Sequence, residues 1–210
     1  MDLNEDYRIL ANVTSDALRR AAEITIDQAK DAVTTLLRFI GEDPTREGLL
    51  DTPRRVAASL LEMNSGYQES EDAAMERIMT VFEDGACNEM VLLRSIEFIS
   101  LCEHHMLPFS GRAHIAYLPD GKIIGISKLA RILDYYSRRL QVQERLCQQV
   151  SDALNKHLQP KGAACVIEAH HSCMSCRGVG KRDSVMVTSS LYGSFLEPAV
   201  RSEFFDLIKE

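Results

Sequence analysis

Two clusters of thiols and imidazoles most constrain how this chain can fold. The first is Leu101-Cys102-Glu103-His104-His105. The second, much farther along, is His170-His171-Ser172-Cys173-Met174-Ser175-Cys176. A Cys-x-x-His unit such as Cys102–His105 can supply two corners of a tetrahedral zinc site. Two corners do not make a site. If the clusters form one centre, the fold must bring together segments that are distant in sequence.

Composition sets the chemical setting of those thiols. Met1 to Asp6 is acidic and lacks the apolar core of a signal peptide. No apolar run approaches the roughly 20 residues of a membrane helix. A cytoplasmic location is therefore the default expectation, with the six cysteines reduced or metal-bound rather than paired as disulfides. The 210 residues suffice for one full domain with an extension. The net charge is −7, from 31 acidic and 24 basic residues. A protein that grips a long nucleic acid usually shows a basic face. An acidic chain with a few chosen Arg and Lys better suits a small anionic ligand. Neither a nucleic-acid nor a membrane partner is expected.

Along the chain, residues 1–24 show weak periodicity and read as a leader or loose helix. Thr25 with Gln28 predicts a capping box. Behind it, Ile26, Ala29, Val33, Leu36 and Ile40 recur at helical spacing up to a stop at Gly41. Thr52-Pro53 predicts a second helix, with Thr52 as cap, Val56, Leu60, Leu61 and Met63 as its apolar side, and Gly66 as its end. This pair reads as a helical extension over 1–66, with the main domain over 67–210. Residues 71–88 predict a short helix and a loop. Met90 to Leu101 predicts one or two strands leading into the first cluster, with Pro108 and Gly111 breaking the chain after it. Arg112 to Leu118 alternates, and Pro119-Asp120-Gly121-Lys122 marks a turn, together predicting a hairpin.

Ser127 begins the next predicted helix, whose buried stripe is Leu129, Ile132, Leu133 and Tyr136. Ser127, Lys128 and Arg131 share its N-terminus, where free amides and the helix dipole favour a phosphate. The plainer alternative is a capped helix with ordinary surface charges. Another helix is expected over Val142–His157, with Gln143 and Glu144 near its start. Ala163 to Cys173 alternates as a strand. That places Cys165, Ile167, Ala169, His171 and Cys173 on one face, and His170 and Ser172 on the other. A basic segment, Arg177 to Arg182, follows. Ser184 to Leu191 predicts a last strand, and Pro198 to Ile208 a closing amphipathic helix.

Cys102, His105 and Cys173 give three zinc ligands, leaving a fourth position for water as in a catalytic site. Cys176 offers the alternative of a closed, structural Cys₃His clip. Spacing alone leaves both open, and the absence of any metal remains a third reading. Spare imidazoles at His104 and His171 favour catalysis, because they can move protons at neutral pH. Ser127, Lys128, Arg131 and Arg177 suggest a phosphorylated substrate. Gln143 and Glu144 suit the edge of a base; a guanine N1–H and its exocyclic amine would suit a carboxylate.

Taken together, these residues resemble GTP cyclohydrolase I. Three blocks carry the resemblance: Cys102-Glu103-His104-His105 with Leu107-Pro108-Phe109; Gly125-Ile126-Ser127-Lys128-Leu129-Ala130-Arg131 running on to Gln141-Val142-Gln143-Glu144-Arg145-Leu146; and His171-Ser172-Cys173-Met174 with Arg177-Gly178. Asp51-Thr52-Pro53-Arg54-Arg55-Val56 is a fourth, shorter block. The resemblance covers about Gly41 to Phe205. It implies an α+β tunnelling fold (T-fold): an antiparallel sheet with packed helices and an N-terminal helical extension. It also implies a toroidal homodecamer with active sites at subunit interfaces. The implied reaction hydrolyses GTP at guanine C8, releases formate and forms 7,8-dihydroneopterin triphosphate, the entry to folate or tetrahydrobiopterin synthesis. On that likeness Cys102, His105 and Cys173 hold Zn2+, whose open position takes the water that attacks C8. His104 and His171 handle protons. Gln143 and Glu144 hold guanine, and Ser127, Lys128, Arg131, Arg177 and Arg55 hold the triphosphate. The family pattern needs no cysteine at 176, which makes Cys176 a bystander or a redox liability. Two other classes stay in view. One is a pterin aldolase or nitrile reductase on the same fold, without this triad. The other is a zinc-stabilised protein that holds GTP without turnover.

Overall fold

The computed structural model describes residues 24–83 and 87–209. The expected leader therefore lies outside the described residues except for Ile24, as do residues 84–86 of the acidic loop. The chain divides into two compact units, one ending at Ser70 and the other beginning at Glu71.

In the first unit, α1 spans Ile26–Phe39 and α2 spans Thr52–Met63, and the two pack together. Thr25 and Gln28 close a capping box: the Gln28 amide donates to Thr25 Oγ1 at 3.2 Å, and the Thr25 amide donates to Gln28 Oε1 at 2.8 Å. Gly41 follows α1 with φ +88°, the left-handed turn-off that glycine accepts without strain. The apolar stripe of α1 is only half covered: Ile26, Ala29 and Val33 are half-buried, while Leu36 and Ile40 are exposed. The second helix starts one residue earlier than expected. Asp51 occupies the cap, Thr52 is already helical, and Arg54 bonds back to Asp51 at 2.8 Å. It ends at Met63, and Gly66 sits in the short 3-10 turn that follows.

In the second unit, α3 (Glu71–Ile78) leads to β1 (Val81–Phe82), β2 (Val91–Cys102), β3 (Pro108–Leu118) and β4 (Ile123–Ile124). Then come α4 (Ile126–Ser137), β5 (Leu140–Gln141), α5 (Gln143–Leu158) and β6 (Gly162–His171). A one-turn helix α6 (Ser172–Ser175), β7 (Met186–Gly193) and α7 (Pro198–Ile208) complete the chain. Five strands form the main sheet in the order β5-β2-β3-β6-β7. Every neighbour pair is antiparallel except β5 with β2. Alternation along β3 and β6 feeds two cores. Ala113, Ile115, Tyr117, Cys165, Ile167 and Ala169 pack on one side with residues of α3, α4 and α5. Ala116, Ala164 and Val166 face Phe195 and Phe204 on the other side, the latter from α7. The expected stripe of α4, Leu129, Ile132, Leu133 and Tyr136, is buried. Among the described residues no helix is long and apolar enough to cross a membrane.

Other local expectations change in the second unit. The turn at Pro119–Lys122 does not close a hairpin: β4 pairs with β1, and β3 pairs with β2 and β6. A turn signal fixes where the chain reverses, not which strand it meets. Pro108 and Gly111 do not break the chain but lie within β3. Pro108 stands at the first position, where a missing amide costs little. Gly111 lies opposite Ala169, and a Cβ there would sit 1.8 Å from the Glu168 carbonyl oxygen. Gly111→Ala must therefore push β6 away from β3. It is expected to destabilise the fold by about 3 kcal/mol, read from denaturant unfolding at fixed protein concentration.

Candidate active site

The sheet register brings the two clusters together. Phe109, at the start of β3, pairs with Ser100 of β2 and with His171 of β6. The turn after β2 and the segment after β6 thus leave the sheet at the same end. The Cys102 amide donates to Leu107 O at 2.8 Å, and the Met106 amide to Cys102 O at 2.8 Å, closing a tight turn. Met106 takes φ +54° within it.

Cys173 reaches this end by a route other than strand alternation. The strand stops at His171, and Cys173 lies in the helical turn α6. That turn brings it back toward Cys102. The donor atoms of Cys102, His105 and Cys173 all lie within 4.8 Å of one another. Cys102 Sγ is 3.9 Å from His105 Nδ1. A tetrahedral ion with zinc-like bond lengths separates its donors by about 3.6 Å, so two sulfurs and one imidazole nitrogen so arranged fit a metal ion. Cys176 is exposed and is not part of this group. Burial, with the neighbouring Cys102 sulfur, pushes the Cys173 thiol up from its ordinary value. A bound cation reverses that balance, because it deprotonates a coordinating thiol.

Beside the group is a cavity of about 480 Å³. Cys102, His104, Gln143, Glu144 and His171 all line it. His104 Nδ1 is 3.7 Å from Cys102 Sγ. His171 is held on one face and at one ring nitrogen. Its ring stacks on Phe109 with centroids 4.6 Å apart and planes 4° apart. Its Nε2 is 2.8 Å from Gln143 Oε1. The Gln143 amide nitrogen in turn donates to Ile167 O at 3.0 Å, Met186 O at 2.9 Å and Thr188 Oγ1 at 3.2 Å. An amide oxygen only accepts, so His171 carries its proton on Nε2 and keeps Nδ1 as an acceptor. Burial holds the His171 pKa below the ordinary imidazole value.

The remaining candidates stand apart from the cavity. Ser127, Lys128 and Arg131 lie in the first turns of α4, behind a Gly125 cap with no side-chain bond. None of them lines this chain's own cavity. Arg177 Nη1 lies 2.8 Å from His105 Nε2. Arg55 belongs to the first unit, where it pairs with Asp51 at 3.5 Å. Sequence reasoning missed the wall formed by Met174, Ser184, Val185 and Met186. Ordinary Met, Ser and Val residues in α6 and at or just before the start of β7 carry no distinguishing signal until the register is known.

Fold and donors together define an α+β protein with a metal-competent Cys/His group at one end of its sheet. The family model for GTP cyclohydrolase I matches residues 29–209, and the chain belongs to that family. It is accordingly an enzyme, and its fold is the family's T-fold. GTP cyclohydrolase 1 of Chlorobium chlorochromatii (strain CaD3) is 50% identical over 196 residues, covering 93% of this chain and 86% of the relative. That of Wolinella succinogenes is 52% identical over 181 residues, covering 86% and 95%. That of Synechococcus sp. (strain JA-2-3B'a(2-13)) is 54% identical over 179 residues, covering 85% and 77%. Among solved structures, the archaeosine synthase QueF-Like in the apo form aligns with a TM-score of 0.41 at 16% identity, covering 50% of this chain and 93% of that one.

Proposed function

We propose that this chain is a zinc-dependent GTP cyclohydrolase I. It hydrolyses GTP at guanine C8 and yields formate and 7,8-dihydroneopterin triphosphate, the first step of folate or tetrahydrobiopterin synthesis in the cytoplasm. The observation that carries this reading is one cavity lined by Cys102 of the Cys102–His105–Cys173 group, by two further imidazoles and by the Glu144 carboxylate, in a chain of this family. A zinc ion held by those three ligands supplies Lewis acidity and an activated water.

The chain's own groups do the rest. Glu144 accepts from guanine N1–H and the exocyclic amine. Gln143 is buried and bonded to His171, so beyond any contact to the base it orients that ring. His171 takes and returns a proton through Nδ1, and His104, which lines the same cavity, is the second proton carrier. Arg177 and Arg55 hold the triphosphate together with Ser127, Lys128 and Arg131. None of these five lines the chain's own cavity, and in the proposed homodecamer Ser127, Lys128 and Arg131 serve the site of a neighbouring copy. Residues 67–210 form the catalytic domain and 1–66 its helical extension.

A carboxylate accepting from a neutral donor pair contributes about 1.5–3 kcal/mol, or about 10–100-fold in binding. Glu144→Gln is therefore expected to raise KM for GTP by about that factor, in steady-state kinetics. The reaction itself is tested with GTP labelled at C8. The label is expected in formate, and its retention in a nucleotide product would contradict the proposal.

A further inference from the structure

The turn between Cys102 and His105 is bolted to the start of α5 by a network that none of the metal or substrate roles uses. Glu103 lies inside that turn. Its carboxylate accepts from Arg145 Nη2, and its amide donates to Gln141 O at 3.0 Å. Arg145 also donates through Nε to Gln141 Oε1 at 3.0 Å and through Nη2 to Leu140 O at 3.2 Å. Gln141 is buried at 1% exposure, and its amide nitrogen donates to Tyr136 O at 2.9 Å and Gln149 Oε1 at 2.8 Å. Those two bonds orient the amide so that its oxygen faces Arg145. The other Glu103 oxygen lies 4.0 Å from His104 Nε2. The backbone link here is short: β5 pairs with β2 only through Leu101–Leu140 and Cys102–Gln141.

We propose that Glu103 and Arg145 act together as positioning residues that fix the metal-binding turn against the helix start carrying Gln143 and Glu144. An ion pair whose side chains are 34% and 44% exposed adds little to global stability. Its place gives it another role. It sets the spacing between the Cys102–His105 ligands and the group that reads the base, and a misplacement of about 1 Å at a reacting centre costs about 100-fold in rate. Arg145 serves Glu103, Gln141 and Leu140 at once with its planar fork. Lysine keeps the charge but not that geometry. The inference rests on the metal-ligand assignment above and, for its kinetic part, on the proposed function.

The test uses the full chain with Glu103→Gln, Arg145→Lys and the double variant. Zinc affinity is measured by chelator competition, thermal unfolding is measured on the metal-free protein, and kcat and KM are measured with GTP. Each single variant is expected to lower zinc affinity about 10–100-fold and to lower kcat, with KM and the unfolding temperature close to those of the unmodified protein. The double variant is expected to match the singles, because the two residues work as a unit. Wild-type zinc affinity and kcat in Glu103→Gln would overturn the proposal. So would losses that track a fall in unfolding temperature, or a double variant that loses the product of the two effects. If the unmodified protein binds zinc but releases no formate, the proposed function falls, while the affinity comparison still decides the role of this pair.

Discussion

Cys173→Ser is expected to remove bound metal and GTP turnover together. Cys173 is one of only three donors in the group, and it arrives on the one-turn helix α6 rather than on the sheet. Without its sulfur, Cys102 and His105 supply two ligands from a single turn, which do not make a zinc site. Metal per chain after dialysis should fall from about one to near zero, and formate release with it. Cys176→Ser is the internal control. Cys176 lies three residues on but outside the group, so this variant should keep both metal and activity. Full metal retention by the Cys173 variant would show that the ligands have been misassigned. Loss of metal from the Cys176 variant would restore the closed Cys₃His clip.

His171→Ala should separate metal binding from chemistry. The ring is fixed by Phe109 on its face and by Gln143 at Nε2, leaving Nδ1 as a proton acceptor beside the cavity. Burial favours the neutral imidazole, the form able to accept a proton near pH 7. A positioned general acid–base contributes about 10²–10⁴-fold, so kcat should fall by that factor while metal content stays unchanged. Measuring formate in a single turnover checks the chemical step without interference from product release. A kcat equal to that of the unmodified protein would remove His171 from the catalytic role.

The sequence made some of this legible and hid the rest for physical reasons. The Thr25–Gln28 capping box, the buried stripe of α4 and the closing helix Pro198–Ile208 are local patterns, and local patterns survive into the fold. The alternation of Arg112–Leu118 is visible in the fold as well, because β3 is covered on both sides. The meeting of Cys102 with Cys173 was foreseen from ligand chemistry, but not the path that makes it. Strand periodicity gave Cys173 the right face for the wrong reason, since the strand ends at His171 and a helical turn completes the approach. Pro108 and Gly111 looked like breakers because the pressure that keeps glycine at 111 comes from Glu168, a partner known only from the register. The same holds for the hairpin expected at Pro119–Lys122. The place of Gln143 beside Glu144 suggests only a base contact. Its bonds to His171, Ile167, Met186 and Thr188 depend on strands far along the chain.

The most direct test is to incubate metal-quantified protein with GTP while following formate and a new pterin chromophore together. Both are expected in equal amounts, abolished by a chelator and restored by added zinc. If neither appears although metal is present and GTP binds, the cyclohydrolase assignment fails, and the centre is that of a nucleotide-binding module rather than a hydrolase.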